Sequence, residues 1–317
     1  MGTAGIVLVL YAGGEAVAAG QVEQDRLAAI QAVPQGAEIS SAGLTILIVT
    51  GVLAAPLSLG LFIWRRWYRL AGLPGRPEAF SALSGAAMFF GMLLLDQLGG
   101  LVAQDVLGGD QITIGPLEDQ ARLLIGRYAG QAIIVAVFVW LGWRATTRSS
   151  SRRPGLLRAS LIGAGALLVF WPMVTCAANA ARYLVEHLGD EPVDPIAHDT
   201  LNLLLSSPVD GWFFVMVALV VIAAPLLEEV MYRGILQRVM VQVGMGRWPA
   251  IIVTSAIFAL MHLDVALWHA VAAIFVLSVG FGWVYEKTGR LAAAVTMHAL
   301  FNAANLALAP LLVPGLC

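Results

Sequence analysis

Charge is what this chain has least of. Only 12% of its 317 residues are Asp, Glu, Lys or Arg, about half the share usual in a soluble domain. Meanwhile 59% are hydrophobic and the mean hydropathy is +0.83. That scarcity excludes an ordinary water-soluble domain, and the hydropathy excludes disorder. Long uncharged stretches in place of heptads with charged flanks exclude a coiled coil. Cysteine is nearly missing. The two present, Cys176 and Cys317, make neither a disulfide framework nor a thiolate zinc cluster, and Cys317 lacks the following residues a prenylation box would need. No basic patch is interleaved with aromatics and the net charge is -2, so nothing points to a nucleic-acid partner. No His-Glu-x-x-His pair occurs, and no fixed-period repeat is visible. What is left is an all-α, polytopic membrane protein.

Crossing about 30 Å of hydrocarbon as a helix takes about 20 apolar residues, because every backbone N–H and C=O must be satisfied within the segment. Eight stretches are expected to do so, over 42–64, 80–103, 123–143, 159–185, 211–240, 248–263, 266–285 and 291–313. Lys and Arg collect in cytoplasmic loops. Arg65, Arg66, Arg69 and Arg76 follow the first stretch, and Arg144, Arg148, Arg152, Arg153 and Arg158 follow the third. With eight alternating spans, Arg238, Arg247, Lys287 and Arg290 fall on the same side and both termini face away from the cytoplasm. Residues 1–40 read as an extracytoplasmic segment: Ala4–Ala12 is too short to span, and the small residues around Ala16–Gly20 suit signal cleavage but lack a basic region before them. Three regions are expected: 1–40, a variable half over 41–200, and a core over 201–317 with a cavity inside the membrane. Arg144–Arg158 is the hinge between the halves.

Ionisable residues at membrane depth are costly, so they usually face a protein interior and a partner. Almost all the unusual ones follow residue 220. Glu228-Glu229-Val-Met-Tyr-Arg233 lies in a stretch that also carries Pro225, a residue that frees a backbone carbonyl about one turn earlier. Glu229 and Arg233 are four apart and share a helix face, so they should pair. Glu228 points about 100° away and is the candidate general base. Phe258 precedes His262 by one turn, and His298 and Asn302 share a face, with Asn305 near it. At about 1.5 Å per residue from the basic anchors, Glu228 lies ~15 Å deep, His262 ~22 Å, and His298 and Asn302 ~12 and ~18 Å. Three helices thus bring a carboxylate, two imidazoles and a carboxamide to overlapping depths. Hydrolysis of an amide needs an activated water and fixed donors for the oxyanion. Glu228 with His262 suits the first task, and His298 with Asn302 the second. A metal version with zinc on Glu228, His262 and His298 stays open. Phe258 reads as packing that shapes the site, and Asp96 and Arg127 as a pair or as snorkelling side chains.

At these residues the sequence resembles the CPBP family of intramembrane proteases, the type II CAAX prenyl endopeptidases and bacteriocin-processing proteins. The resemblance covers roughly 205–313. It rests on Glu228-Glu229-x-x-x-Arg233 continuing Gly234-Ile-Leu, on Phe258-x-x-x-His262-Leu, and on His298-x-x-x-Asn302. It implies an intramembrane endopeptidase, glutamate-dependent or metal-dependent, with Glu228 and His262 activating water and His298 and Asn302 stabilising the oxyanion. The expected partners are the lipid bilayer and a membrane-associated peptide or protein, with a prenylated one among the options. The expected location is the cytoplasmic membrane of a bacterium. The sequence carries no signal for oligomeric state. Two other classes fit the same polar residues: a proton-coupled transporter using them as a relay, which tends to show matched repeats this chain lacks, and a silent peptide-binding or bacteriocin-immunity protein.

Overall fold

The computed structural model describes residues 45, 49–71, 73, 79–107, 116–146, 154–188, 199–263 and 270–312. The segment 1–40 and its signal-like run, residues 147–153 of the Arg144–Arg158 hinge, Asp264 and Cys317 lie outside them. Every regular element among the described residues is helical: α1 (Val49–Trp64), α2 (Ala82–Leu107), α3 (Pro116–Thr146), α4 (Leu156–Leu188), α5 (Asp199–Ser206), α6 (Gly211–Gln242), α7 (Arg247–Leu260), α8 (Ala270–Thr288) and α9 (Leu291–Leu312).

Six of these, α2, α3, α4, α6, α8 and α9, are long and apolar enough to cross a membrane. Among the described residues, six of the expected eight crossings are of full length. α1 and α7 are apolar but shorter, and the 14 residues of α7 rise only ~21 Å against ~30 Å of hydrocarbon. α7 also ends before His262, which sits in the turn that follows. The short helix α5 was not anticipated.

α6 starts where the sequence provides a cap: the Asp210 carboxylate accepts the Phe213 N–H at 2.9 Å, satisfying one of the orphan donors of the first turn. Its interior is not a regular α-helix. The Ala224 N–H reaches back five residues to the Leu219 carbonyl and the Gln237 N–H to that of Tyr232. These are π turns, over Leu219–Ala223 and Val230–Leu236, and they flank the two glutamates. Inserted turns of this kind often mark functional segments.

The two halves share their apolar interior. Phe62, Leu70, Ala159, Ala166 and Phe170 from the first half pack with Phe281, Trp283, Val284, Ala294 and Met297 from the second. At the basic end of the bundle the chain after α1 is held by donors from the later helices. Trp283 Nε1 donates to the Trp67 carbonyl, Trp248 Nε1 to Tyr68, Lys287 Nζ to Arg69, and Arg247 to Leu70 and Leu73.

α2 and α3 touch backbone to backbone. A methyl group at Gly126 would overlap the Gly99 carbonyl, and one at Gly130 that of Leu95. This approach lets two polar side chains meet at depth: Arg127 donates through Nε at 2.9 Å and Nη2 at 2.6 Å to Asp96, whose other oxygen accepts from Gln131 at 2.7 Å. The expected Asp96–Arg127 pair forms. Removing one member leaves a buried charge without its partner, so Arg127→Met should destabilise by about 3 kcal/mol. Asp96→Leu in the same chain should recover most of that loss in detergent denaturation, and an unrecovered double variant would show the pair is not the cause.

Candidate active site

Glu228 and Glu229 lie between the two π turns of α6, pointing to different neighbours as their spacing requires. Glu229 is fully buried, as is Arg233 four residues on. Arg233 Nε stands 3.2 Å from Glu229 Oε2, close enough for an ion pair though not aligned for a hydrogen bond. The guanidinium is held from the other side by α8, with Nη2 donating to Ser278 Oγ at 2.5 Å and to the Ser278 carbonyl at 3.1 Å. Aromatic faces complete its enclosure: Cζ lies 4.7 Å from the Phe258 ring and 5.2 Å from that of Phe281, within cation–π range.

The second oxygen of Glu229 joins the cation to the histidine of α9. His298 Nδ1 is 3.0 Å from Glu229 Oε1. A carboxylate accepts, so Nδ1 carries a hydrogen, and the uncharged form of the ring has its lone pair at Nε2. That nitrogen is 3.9 Å from Glu228 Oε2. The ring is stacked on Phe281 at 4.6 Å and 21°, which with the Glu229 bond sets its orientation. Glu228 differs from its neighbour: its side chain is 28% exposed, yet Oε2 is shielded from solvent and has no hydrogen-bond partner. Buried acceptors are nearly always satisfied, so an unsatisfied one facing an imidazole lone pair marks a place built for a hydrogen-bond donor.

His262 reaches this region from the turn after α7. Its ring packs on Phe258 at 4.4 Å, and Phe258 meets His298 at 6.0 Å on another side. The two imidazoles thus share one phenyl ring. His262 Nδ1 is 2.7 Å from the Phe258 carbonyl, which also only accepts, so in this ring too the free lone pair is at Nε2. Phe258, expected as packing, is the shared wall of Arg233, His262 and His298. Asn302 is tied elsewhere: Nδ2 donates at 2.9 Å to the carbonyl of Val220 in α6. Asn305 donates to the Phe301 carbonyl of its own helix.

The zinc set is not formed. Among the described residues no three His, Cys, Asp or Glu side chains converge at ligand spacing, although the free lone pairs on both imidazoles are the chemistry a metal would need.

Sequence reasoning missed Ser278, Phe281 and Tyr128. Ser278 is a hydroxyl within an apolar span, a signal that could have been followed. Phe281 carried none, since one more aromatic in a hydrophobic helix is unremarkable by pattern. Tyr128, from α3 outside the resemblance, lies within electrostatic reach of Glu228. The described clefts lie away from the expected cavity, one of about 110 Å³ lined by Gln97, Gln104 and Arg127 and one of about 730 Å³ lined by Tyr68, Arg247 and Trp248. At the site itself, the Glu228 side chain is part exposed while Glu229 is fully buried.

This arrangement of two adjacent acids, an intrahelical arginine and imidazoles from two other helices can be compared with known proteins. The family model described as Rce1-like, type II CAAX prenyl endopeptidase, matches residues 210–304. Over that segment the chain is similar to the Rce1-like family. The match begins at the cap of α6 and ends in α9, so it contains every charged and imidazole group of the site and none of the first half. It identifies the segment as that of a protease family of the membrane. No curated protein and no solved structure matches the chain.

Proposed function

We propose that the chain is an intramembrane endopeptidase that hydrolyses a peptide bond of a membrane-associated protein or peptide, with Glu228 as the base. The observation that carries this reading is the shielded Oε2 of Glu228, which accepts no hydrogen bond and lies 3.9 Å from Nε2 of His298. The 3.9 Å between them is a span that one bridging water, about 2.8 Å from each atom, would close once admitted. Both neighbours accept, so both water hydrogens are held and its lone pairs turn outward, toward a scissile carbonyl.

Attack forms the bond from the water oxygen to the carbonyl carbon as Glu228 takes the proton. Collapse of the tetrahedral intermediate breaks the C–N bond, and Glu228 returns the proton to the leaving amine. His298 orients the water, and Glu229 holds His298 in the required tautomer, in the way a carboxylate orients a catalytic imidazole elsewhere. Should the proton pass to His298 Nε2, that nitrogen becomes a donor for the oxyanion. His262 supplies a second imidazole acceptor from the turn after α7.

The family's description as a prenyl endopeptidase supports a prenylated substrate, and the two adjacent glutamates beside His298 support a glutamate-dependent route. The test is incubation of the protein, reconstituted in liposomes, with peptides carrying and lacking a C-terminal prenylcysteine, followed by mass spectrometry. Internal cleavage of the prenylated peptides alone supports the full reading. Cleavage of both kinds keeps the protease and removes the prenyl requirement, and proton flux without cleavage removes the protease.

A further inference from the structure

Asn302 is joined to α6 by a bond whose need is created by Pro225. In the π turn over Leu219–Ala223, the Ala224 N–H goes to Leu219 and not to Val220. In that register the next backbone donor, at position 225, would serve the Val220 carbonyl. Position 225 is proline, which has no N–H. The Val220 carbonyl is therefore left over inside a membrane-spanning helix, where no water is at hand to satisfy it and its loss costs several kcal/mol. The Asn302 Nδ2–H takes it at 2.9 Å.

We propose that Asn302 is a positioning residue: it substitutes for the donor Pro225 cannot supply, and so latches α9 to α6 at the level that sets His298 against Glu228. His298 and Asn302 are four apart on one face of α9, so fixing one fixes the depth and rotation of the other. On the α6 side, Val220 and Glu228 are two turns apart, with Pro225 between them. The latch and the Glu229–His298 bond are then two rungs between the same pair of helices, one at each end of the reacting group. This inference rests on the proposed function for its kinetic consequence only. The bond itself is independent of it.

The test exploits the proline. Asn302→Ala removes the latch, and Pro225→Ala restores a backbone N–H in reach of the Val220 carbonyl, so the two changes together should compensate. In protein carrying ¹⁵N-labelled histidine in nanodiscs, the imidazole signals of His298, assigned through His298→Gln, should move in N302A and return in P225A/N302A. Asn302→Asp, equal in size but without the N–H, should move them as N302A does, which guards against a folding failure of the alanine variant. In peptide cleavage, N302A should lower kcat about tenfold, the rate equivalent of one hydrogen bond, with KM nearly constant, and the double variant should recover it. Unmoved His298 signals in N302A and N302D overturn the latch. Signals restored in the double variant without recovered turnover overturn the positioning role and place Asn302 on the reacting atoms. If the wild type cleaves nothing, the protease reading fails alone, and the histidine signals still decide the latch.

Discussion

Replacing Glu228 with Gln removes peptide cleavage, lowering turnover by about 10²–10⁴-fold, the contribution of a positioned general base, while the protein unfolds in detergent at the wild-type midpoint. The two outcomes belong together because of how Glu228 is placed. Its side chain is part exposed and its inner oxygen accepts no hydrogen bond, so an amide of the same shape breaks no described hydrogen bond. Glu229→Gln is expected to behave differently. That carboxylate is fully buried between Arg233 and His298, so its neutralisation weakens cleavage and stability together. Steady-state kinetics beside denaturation curves on the two variants checks this. A stable, active E228Q protein contradicts the base assignment, and a stable, inactive E229Q protein contradicts the division between the acids.

Arg233→Met gives the second large effect, a loss of about 3–5 kcal/mol of stability, because removing one member of a buried pair leaves the other uncompensated. The geometry sharpens the expectation. Arg233 has no solvent exposure, lies between two phenyl rings, and donates to Ser278 of α8 as well as facing Glu229 of its own helix. It therefore joins α6 to α8 at the level of the glutamates. Glu229→Leu in the same chain removes the stranded charge and should recover part of the loss, since contacting residues are not additive. The remainder is the share of Ser278 and the rings. A double variant no more stable than R233M would show that the ion pair matters little and the aromatic enclosure is what counts.

The legible part of the site was the part spelled by spacing. Glu229 and Arg233 at four residues, His298 and Asn302 at four, and the anomaly of charge in an apolar chain single out α6 and α9. The match over 210–304 falls on the same stretch. Six of the apolar stretches correspond to helices long enough to cross, while apolar length alone did not say that the described helix α7 stops at Leu260, because hydropathy blurs where a helix ends and a turn begins. That is also why His262 was expected inside a helix and is found beyond its end.

Less legible was which partner each polar atom takes. The sequence paired Glu228 with His262 and His298 with Asn302. The structure gives His298 to the two glutamates, His262 to a backbone carbonyl and Asn302 to Val220. Those choices depend on π turns in α6, and nothing in composition or periodicity announces an inserted residue. Pro225 was the one visible hint. It correctly signalled a freed carbonyl, and only the backbone register showed that the carbonyl belongs to Val220.

Hydrolysis by a water seated at Glu228 is tested most directly by cleavage in H₂¹⁸O. The wild-type protein in liposomes should yield a product whose new carboxyl group carries one ¹⁸O atom after a single turnover, and E228Q should yield no labelled product over the same time. Labelled product from E228Q at the wild-type rate, or cleavage by the wild type without uptake of ¹⁸O, would contradict it.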